Sequence, residues 1–485
     1  MSKERGGPNA ATGAKPAVVI MAAGKGTRLK SRRPKVLHEI GGKPLICHVI
    51  AAASQFVEPG RIFVVVGHQA DRVREAVSAA GVQFVDQAEQ RGTGHAIQCA
   101  AQSIAGFSDV LVLSGDVPLI RRETMDELWR FHKAEGAAMT ILSAAPENPF
   151  GYGRVVRESA DSADVEAVVE QSDLAANQES IPEINSGIYV FGTKALLEQI
   201  GNLKPDNTHG ELYLTDMAAV LRRAGERVVA VQADHAAEVL GANTIAELVA
   251  LDATMRASHA NRLMAMGVTI YKPESCVIDA EVEVEADTII EPYVQLLGRT
   301  KIGGESRIRS YSVIENCTIG SGVLVRQGSV LVESTVSDRA TIGPFSHLRP
   351  GSEIGENAHV GNFVETKNAR LGKGTKANHL TYLGDAEIGA GTNIGAGTIT
   401  CNYDGVHKNR TQIGEGAFVG SDSTLVAPVV IGDGAYVGAG SCITRDVPPG
   451  ALAVGRSRQV TKEGWATARR ARQKAELESA KRSRE

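Results

Sequence analysis

Aliphatic residues recur at every sixth position through most of the second half of this chain. A helix repeats near 3.6 residues and a strand near 2, so a period of six fits neither element. Glycine often follows the aliphatic residue, as in IGENAHVGNF and IGDGAYVGAG. The pattern predicts a parallel β-helix of hexapeptide repeats, with the aliphatic side chains inside a triangular prism and small residues at its corners. The repeating positions are Ile278, Val284, Ile290, Leu296, Ile302 and Ile308, then Leu324, Val330, Val336, Ile342, Leu348, Ile354 and Val360, and finally Ile413, Val419, Leu425, Ile431, Val437 and Ile443.

An ordinary β-sandwich is the alternative fold. It would show alternating apolar positions with turn signals every ~8 to 12 residues, and this run fits that pattern poorly. Two breaks interrupt the period, near residues 361–387 and near residues 400–412. Insertions into a solenoid usually form loops on one face, often the binding face. We therefore expect the function of this half to reside near the breaks.

Residues 17–245 show a different pattern, in which strand-like runs such as AVVIMAAG and DVLVLSGD alternate with helix-like stretches such as ETMDELWRFHKAEG. This alternation predicts an α/β domain with a mainly parallel sheet. A continuous helical pattern follows, opening at a capping box from Thr244 to Glu247. We divide the chain into a disordered extension (1–16), the α/β domain (17–245), a helical linker (246–266), the β-helix (267–460) and a charged tail (461–485).

Composition limits the kinds of partner. Lys and Arg number 52 against 56 Asp and Glu, a formal net charge of -4, so no overall basic field attracts nucleic acid or anionic lipid. No apolar run reaches the ~18 residues of a membrane span, and the first residues lack the apolar core of a signal peptide. The 6 cysteines are scattered without metal-ligand spacing, which suits a reducing compartment. We expect a cytoplasmic protein that binds small molecules, with neither nucleic acid nor membrane as a partner.

A Gly- and Lys-rich loop, AAGKGTRL, follows the first strand of the α/β domain. Gly24 and Gly26 let backbone N–H groups approach an anion, while Lys25, Arg28 and Lys35 can neutralise it. The spacing matches neither a Walker A loop nor the dinucleotide fingerprint. Taken alone, the loop indicates either a phosphate site or an ordinary turn between strand and helix.

Asp116 ends another strand at the sequence SGD. Open α/β sheets bind ligands at this carboxyl edge, and a carboxylate there can hold Mg²⁺ between phosphates. The residue type alone favours the simpler interpretation of a turn-forming Asp.

Several motifs together resemble the nucleotidyltransferases that activate sugar 1-phosphates. They occur in the family's order and with similar spacing, as AAGKGTR with PKVL, QAEQRGTGHA, LSGDVPL, GYGRVV, VVEQSD, EINSGIYVF and EVLGANT. The stretch from HLRPGSEIG to CNYDGVHKN is similar to the signature of the bifunctional bacterial enzymes with N-acetylglucosamine-1-phosphate uridyltransferase and glucosamine-1-phosphate acetyltransferase activity. This resemblance covers about residues 17 to 465 and implies synthesis of UDP-N-acetylglucosamine for peptidoglycan and lipopolysaccharide.

The resemblance implies roles for residues of the first half. In that family a sugar phosphate oxygen attacks the α-phosphorus of UTP and pyrophosphate leaves, so alignment and charge neutralisation replace a side-chain nucleophile. The implied substrate-binding residues are Met21, Ala22, Ala23 and Gly24 for the nucleotide, Gln87, Gly92 and Thr93 for uracil, and Gly153, Glu170 and Asn185 for the sugar, together with Ser114, Gly115 and Asp116. Arg28 and Lys35 are implied to be the catalytic residues that steady the phosphates, and Asp116 and Asn243 to bind Mg²⁺.

Acetyl transfer to an amine needs a base, a phosphate clamp and oxyanion donors, and a histidine has the right titration range for the base. The resemblance implies that His379 is this base in a left-handed β-helix. It implies that Arg349 and Lys367 grip the phosphate of glucosamine-1-phosphate, that Tyr382 and Asn393 hold its sugar, and that Ala396, Asn402, Tyr403, Ser421, Ala439 and Arg456 line the path of acetyl-CoA. It also implies a homotrimer with acetyl-transfer sites between subunits.

Three other hypotheses remain open from the sequence. A monofunctional sugar nucleotidyltransferase with a structural β-helix would lack the segments around His379 and Asn402, which are present. A catalytically silent sugar-nucleotide-binding scaffold would lose Asp116 or Lys35, and neither is lost. A metal site resembling that of γ-class carbonic anhydrases would use histidines of the β-helix, namely His347, His359 or His379.

Overall fold

A computed structural model describes residues 15–159, 162–207 and 210–482 of the 485-residue chain. Most of the extension that we predict to be disordered, residues 1–14, lies outside these ranges. The chain divides into two compact units, residues 1–262 with 278–281, and residues 263–277 with 282–485. No helix of the described ranges is long and apolar enough to cross a membrane.

The first unit is built on a mixed, mainly parallel sheet with the strand order β11-β7-β10-β6-β1-β4-β5, in which β10 runs antiparallel to its neighbours β6 and β7. Its strands are β1 (Ala17–Met21), β2 (Glu39–Ile40), β3 (Lys43–Pro44), β4 (Ile62–Val66), β5 (Gln83–Asp86), β6 (Asp109–Ser114), β7 (Met139–Ala144), β8 (Arg154–Arg157), β9 (Val165–Val169), β10 (Ile184–Gly192) and β11 (Val228–Gln232). Its helices are α1 (Leu45–Phe56), α2 (Ala70–Ala76), α3 (Thr93–Ile104), α4 (Arg122–Glu135), α5 (Thr193–Gln199), α6 (Met217–Arg223) and α7 (Ile245–Ala265). The predicted α/β fold is confirmed.

The central strands β1, β4 and β6 are buried along almost their whole length. Their continuous aliphatic runs reflect this position, because helices cover both faces of a parallel sheet and leave neither face exposed to solvent. These strands are parallel and in register, with Met21 opposite Ser114 and Val65. The loops that follow them therefore leave the sheet at one edge, and the candidate site lies there.

The second unit is a left-handed parallel β-helix with three faces, as predicted. In the part of the chain that the structure describes, the first face has eleven strands, the second ten and the third nine, each paired in parallel with the strand one coil further on. The first face contains Thr269–Ile270, Ile289–Ile290, Arg307–Ile308, Leu324–Val325, Thr341–Ile342, His359–Asn362, Lys376–His379, Asn393–Ile394, Phe418–Val419, Tyr436–Val437 and Leu452–Ala453. The second contains Val277–Ile278, Gln295–Leu297, Val313–Glu315, Val330–Val332, His347–Leu348, Glu365–Lys367, Tyr382–Gly384, Ile399–Cys401, Thr424–Val426 and Cys442–Ile443, and the third Glu283–Val284, Lys301–Ile302, Thr318–Ile319, Thr335–Val336, Glu353–Ile354, Arg370–Leu371, Ala386–Ile388, Thr411–Ile413 and Val429–Ile431.

Two of the predicted inward positions are wrong. Leu324 and Val330 are only partly buried, and their neighbours Val325 and Leu331 fill the interior with no exposed surface. The step from Leu331 to the next inward residue, Val336, is five positions rather than six. The earlier step from Ile314 to Ile319 in the β-helix is also five positions. A corner shortened by one residue keeps the prism intact but moves the period by one.

The two breaks in the period differ in structure. Between residues 361 and 387 the coils continue, and the fully buried Thr366 and Ala377 take positions where an aliphatic residue was expected. The second break is a true insertion between the strands Ile399–Cys401 and Thr411–Ile413, which we call the 402–410 loop. After the β-helix, α8 (Trp465–Arg482) forms in the segment that we predict to be a charged tail.

Candidate active sites

A cavity of about 630 Å³ opens at the carboxyl edge of the sheet in the first unit. Many of the residues expected to bind substrate line it, although Lys35 and Asn243, for example, are 208 positions apart. Gly115 lies beneath the lining, where its N–H donates to the carbonyl of Met21 at 2.9 Å. The predicted residues in the lining are Met21, Ala22, Ala23, Gly24, Arg28, Lys35, Gln87, Gly92, Thr93, Ser114, Asp116 and Asn243.

The residues expected to read a base form one wall of the cavity. Gln87 is 3% exposed, and its Nε2 donates to the carbonyl of Gly92 at 3.0 Å. Gly92 has a φ of +106°, and a Cβ there would lie 2.5 Å from the carbonyl oxygen of Leu212, so this position requires glycine. Thr93, at the start of α3, accepts the N–H of Leu214 on Oγ1 at 2.9 Å. Two distant loops are thus tied together here.

Two further residues, Gln90 and Glu211, line this wall although the sequence did not lead us to expect them. Gln90 donates to the carbonyl of Gln87 at 3.0 Å and lies within the quoted motif QAEQRGTGHA, which offered a signal for it. Glu211 belongs to none of the motifs and reaches the cavity only because its segment pairs with the loop around Gly92. No local signal could have identified Glu211.

Four residues assigned to phosphates and metal form one charged cluster. The ammonium of Lys35 forms a salt bridge with the carboxylate of Asp116 and also donates to Asn243 Oδ1 at 2.8 Å. Arg28 Nη2 donates to the same Oδ1 at 3.0 Å. Lys35 therefore contacts both side chains that we expect to bind Mg²⁺, and Arg28 contacts one of them.

Asp116 is held as a carboxylate. Burial by itself would raise the pKa of this carboxyl, but the Lys35 ammonium and hydrogen bonds from Lys35 and Ser114 outweigh burial and lower the pKa. Ser114 Oγ donates to Asp116 Oδ1 at 2.5 Å. Gly241 packs against the same group, since a Cβ at that position would lie 2.8 Å from Asp116 Oδ2. The carboxylate is charged and tightly confined.

The expected sugar-binding residues lie together, outside the lining of the cavity. The N–H of Asn185 donates to the carbonyl of Gly153 at 2.9 Å, and a Cβ at Gly153 would lie 3.4 Å from Glu170 Oε2. Asn185 Nδ2 donates to the hydroxyl of Tyr189 at 2.8 Å. Burial is the main cause that raises the pKa of Glu170, whose carboxylate accepts the hydroxyl of Thr215 at 3.2 Å.

In the second unit, one edge of the prism carries His379. We call the corner between the first and second faces the first edge. At this edge, one residue from each successive coil lies above the last, so that the residues form a column. Backbone bonds connect the coils, from Leu380 N–H to Asn362 O at 3.1 Å and from Asp422 N–H to Ala396 O at 2.7 Å. The column contains Asn362, His379, Ala396, Ser421 and Ala439. Arg456 adjoins its end, because a Cβ at Gly440 would lie 3.6 Å from Arg456 Cδ.

The ring of His379 has a defined orientation. Its Nδ1 lies 2.8 Å from Asn362 Oδ1. An amide oxygen can only accept, so Nδ1 donates this bond, and in the neutral ring Nε2 is then the acceptor. The side chain is exposed, so solvent or a substrate can reach the ring.

A cationic cluster lies at the second edge, where the second face turns into the third. Arg349 and Lys367 stand on successive coils, and Arg349 Nη1 contacts Glu365 Oε1 at 2.8 Å. Lys408 in the 402–410 loop and then Arg349 lower the pKa of the Lys367 ammonium. Lys408 was not among the expected site residues, although it is the lysine of the motif CNYDGVHKN. Cations this close indicate a site for an anion.

Tyr382 lies on the second face between the two edges, and Asn393 lies on the first face beside Lys376. Three residues of strand separate the edges, a width of about 10 Å. Asn402 and Tyr403 belong to the 402–410 loop at the second edge, so the structure separates them from the other residues assigned to acetyl-CoA. Asn402 Nδ2 donates to Asp385 Oδ2 at 2.5 Å.

The described residues of the single chain give no support to a metal site in the β-helix. No group of three or more His, Cys, Asp or Glu side chains among them is placed to hold a metal ion. His347 lies on the second face, whereas His359 and His379 lie on the first.

Comparisons with known proteins agree for both units. A MobA-like NTP transferase domain matches residues 18–212, and the bacterial transferase hexapeptide (six repeats) matches residues 333–368 and 410–445. The bifunctional protein GlmU of Koribacter versatilis (strain Ellin345) is 61% identical over 464 residues, which cover 96% of this chain and 99% of that protein. The bifunctional protein GlmU of Solibacter usitatus (strain Ellin6076) is 52% identical over 455 residues, with 93% and 97% covered.

Proposed function

The chain belongs to the family of bifunctional GlmU proteins, and on that premise we propose which of its residues carry out the two reactions. The protein is a UDP-N-acetylglucosamine diphosphorylase and a glucosamine-1-phosphate N-acetyltransferase. Its nucleotidyltransferase unit transfers UMP from UTP to N-acetylglucosamine-1-phosphate. Its β-helix acetylates glucosamine-1-phosphate with acetyl-CoA. The cluster of Lys35, Asp116 and Asn243 at the cavity is the observation on which the first assignment depends most.

Asp116 and Asn243 would hold Mg²⁺. Their carboxylate and amide oxygens are hard donors, and Mg²⁺ is usually bound by one or two such side chains together with substrate phosphates. Lys35 bridges the same two side chains. Its ammonium would neutralise the charge of phosphates bound beside them. Bound Mg²⁺ supplies further neutralisation of that charge.

The remaining residues of the first unit position the two substrates. The backbone from Met21 to Gly24 approaches the nucleotide phosphates, and Gln87 with its neighbours Gly92 and Thr93 binds uracil. Gly153, Glu170 and Asn185 hold the sugar. Because the phosphate oxygen of the sugar is itself the nucleophile, the chain aligns it with the α-phosphorus while Arg28 and Lys35 stabilise the departing pyrophosphate.

In the second unit, His379 is the base for acetyl transfer. Its Nε2 takes a proton from the ammonium of glucosamine-1-phosphate, and the free amine attacks the thioester carbonyl. The C–S bond breaks as the amide forms, and the departing thiolate of coenzyme A takes up the second proton of the nitrogen. Arg349 and Lys367, with Lys408 beside them, bind the sugar phosphate across the second face. Tyr382 and Asn393 bind the sugar. Ala396, Ser421, Ala439 and Arg456 bind acetyl-CoA along the first edge.

We assign a homotrimer because each chain divides the acetyl-CoA residues between two edges of its prism. Asn402 and Tyr403 at the second edge would complete the site on a neighbouring copy. The first edge also carries a set of exposed apolar side chains, which we call the aromatic edge. It consists of the stacked pairs Tyr293–Tyr311 and Phe345–Phe363 and of Leu380. The ring centroids in the two pairs are 5.2 and 5.8 Å apart. These five residues have left-handed φ angles, which are strained for side chains of this size, and they are half exposed or more. Both the strained backbone and the exposed apolar surface cost free energy, and burial against another copy would offset that cost.

We place the protein in the cytoplasm. Its six cysteines are all free thiols, which suits a reducing compartment.

Product analysis by mass spectrometry tests this function. The full chain with glucosamine-1-phosphate, acetyl-CoA, UTP and Mg²⁺ should yield UDP-N-acetylglucosamine. Omitting acetyl-CoA should stop all product until N-acetylglucosamine-1-phosphate is supplied, and EDTA should stop uridylyl transfer but leave acetyl transfer intact. Acetyl transfer that needs the metal, or a failure to make either product, would contradict the assignment.

A further inference from the structure

The segment from Gly241 to Glu247 connects both proposed metal ligands to the first turn of α7. Ala242 N–H approaches the carbonyl of Asp116 at 3.4 Å, and Gly241 packs on the Asp116 carboxylate. Asn243, next in the chain, accepts hydrogen bonds from Lys35 and Arg28 on its side-chain oxygen. One short loop therefore fixes the geometry of both ligands, and its own position depends on how it enters the helix.

The entry to the helix differs from an ordinary capping box. Glu247 N–H donates to Thr244 Oγ1 at 3.2 Å, as in the usual motif. The carboxylate of Glu247, however, accepts the N–H of Asn243 at 2.7 Å, rather than that of the capping residue Thr244. The Glu247 carboxylate thus holds the backbone of Asn243, and the side chain of the same Asn243 lies beside Lys35 and Asp116.

We propose that Glu247 is a positioning residue for the divalent metal, acting through the backbone of Asn243. This inference rests on the proposed Mg²⁺ site. A carboxylate that accepts the Asn243 N–H fixes the backbone of that residue, and so directs Oδ1 toward the metal. Groups that orient a metal ligand typically alter metal affinity by about 10- to 100-fold when they are removed. Simple helix capping would instead affect the stability of α7 and leave metal affinity unchanged.

The test uses the full chain with UTP and Mn²⁺ as the probe, and measures protein-bound Mn²⁺ by water-proton relaxation. Glu247→Ala should weaken Mn²⁺ binding by about tenfold. Glu247→Gln should restore most of it, because the amide oxygen still accepts the Asn243 N–H. Glu123→Ala is the matched control, since Glu123 is also an acidic residue in the first turn of a helix, α4. Acetyl transfer, measured in the same samples, reports on the integrity of the other unit.

The outcomes separate two failures. If Asp116→Ala binds Mn²⁺ as the wild type does, the proposed metal site itself is wrong. If Asp116→Ala loses Mn²⁺ but Glu247→Ala binds it normally, the metal site stands and the positioning role is wrong. Should Glu247→Ala unfold the first unit, as judged by circular dichroism, Glu247→Met provides the same comparison. It keeps a long, helix-favouring side chain but has no oxygen to accept the Asn243 N–H, and normal Mn²⁺ affinity in that variant would overturn the inference.

Discussion

At the scale of single residues, Gly241 illustrates how tightly Asp116 is confined. Any Cβ at position 241 would come within 2.8 Å of the Asp116 carboxylate, so Gly241→Ala must displace that group or its own loop. We expect kcat for uridylyl transfer to fall by about 10- to 100-fold, a loss comparable with disturbing the support of a metal ligand. A coupled pyrophosphate-release assay measures it. Gly106→Ala is the control, because a Cβ there would meet nothing within 4 Å, and equal losses in both variants would refute the explanation.

His132 in α4 should make the first unit sensitive to acid. The ring is 3% exposed and bonds Thr140 Oγ1 at 2.8 Å, and burial lowers the pKa of His132 from 6.5 to about 4. Between these pH values the unfolded chain binds a proton that the folded chain does not, so stability falls as pH falls, by up to about 3 kcal/mol.

His132→Gln should therefore flatten the pH dependence of unfolding between pH 6.5 and about 4. Trp129 fluorescence during urea denaturation follows this unit, provided that Trp465, the other of the 2 tryptophans, is replaced by Phe in every sample. An unchanged slope with pH in His132→Gln would show that another group is responsible.

Single residues also mark the limit of prediction from sequence. Lys35, Arg28 and Asp116 became candidates through local signals, a Gly- and Lys-rich loop and the end of a strand. Those signals left ordinary turns open, and the family resemblance supplied the roles. Asn243 looked like a residue before a helix cap and was identified through family resemblance alone. Its assigned role depends on the contact with Lys35, which is 208 positions away, and no local sequence pattern predicts such a contact.

At the scale of elements, the 402–410 loop depends on Asp385 at its base. This carboxylate accepts from Asn402 Nδ2 at 2.5 Å and from Asn368 Nδ2 at 2.6 Å, on the coil before. Asp385→Ala should leave the prism folded but release the loop, raising hydrogen exchange in residues 402–410 and the KM for acetyl-CoA and glucosamine-1-phosphate several-fold.

Hydrogen exchange with mass spectrometry measures the first effect, and acetyl-transfer kinetics the second. Asp338→Ala is the control, since Asp338 accepts the N–H of Ser321 at 2.9 Å at a comparable turn far from the loop. Unchanged exchange in the loop of Asp385→Ala would mean that other contacts hold it.

The elements were predictable to the extent that their signal repeats. The six-residue period identified the β-helix, and the switch to alternating strands and helices identified the α/β unit. The period failed at Leu324 and Val330, because shortened corners shift the inward positions by one residue without changing the composition. It also overstated the first break, where Thr366 and Ala377 fill the interior without interrupting the coils.

At the scale of the whole molecule, the aromatic edge should determine assembly. The double variant Phe345→Ser/Phe363→Ser removes one exposed stacked pair, and we expect it to sediment as a monomer, to lose acetyl transfer and to retain uridylyl transfer. Analytical ultracentrifugation with both activity assays gives the answer. Phe418→Ser is the control, because Phe418 stacks on Tyr436 on the first face, away from this edge. A double variant that remains trimeric would show that the copies meet elsewhere.

If one chain carries two chemically independent sites, variants of the two sites should complement each other when they are assayed separately and then mixed. Asp116→Ala should accumulate N-acetylglucosamine-1-phosphate, whereas His379→Ala should make UDP-N-acetylglucosamine only when that intermediate is supplied. A mixture of the two variants should again convert glucosamine-1-phosphate to UDP-N-acetylglucosamine. If either variant, still folded, lost both reactions, or if the mixture made no product, the account of two independent sites would be contradicted.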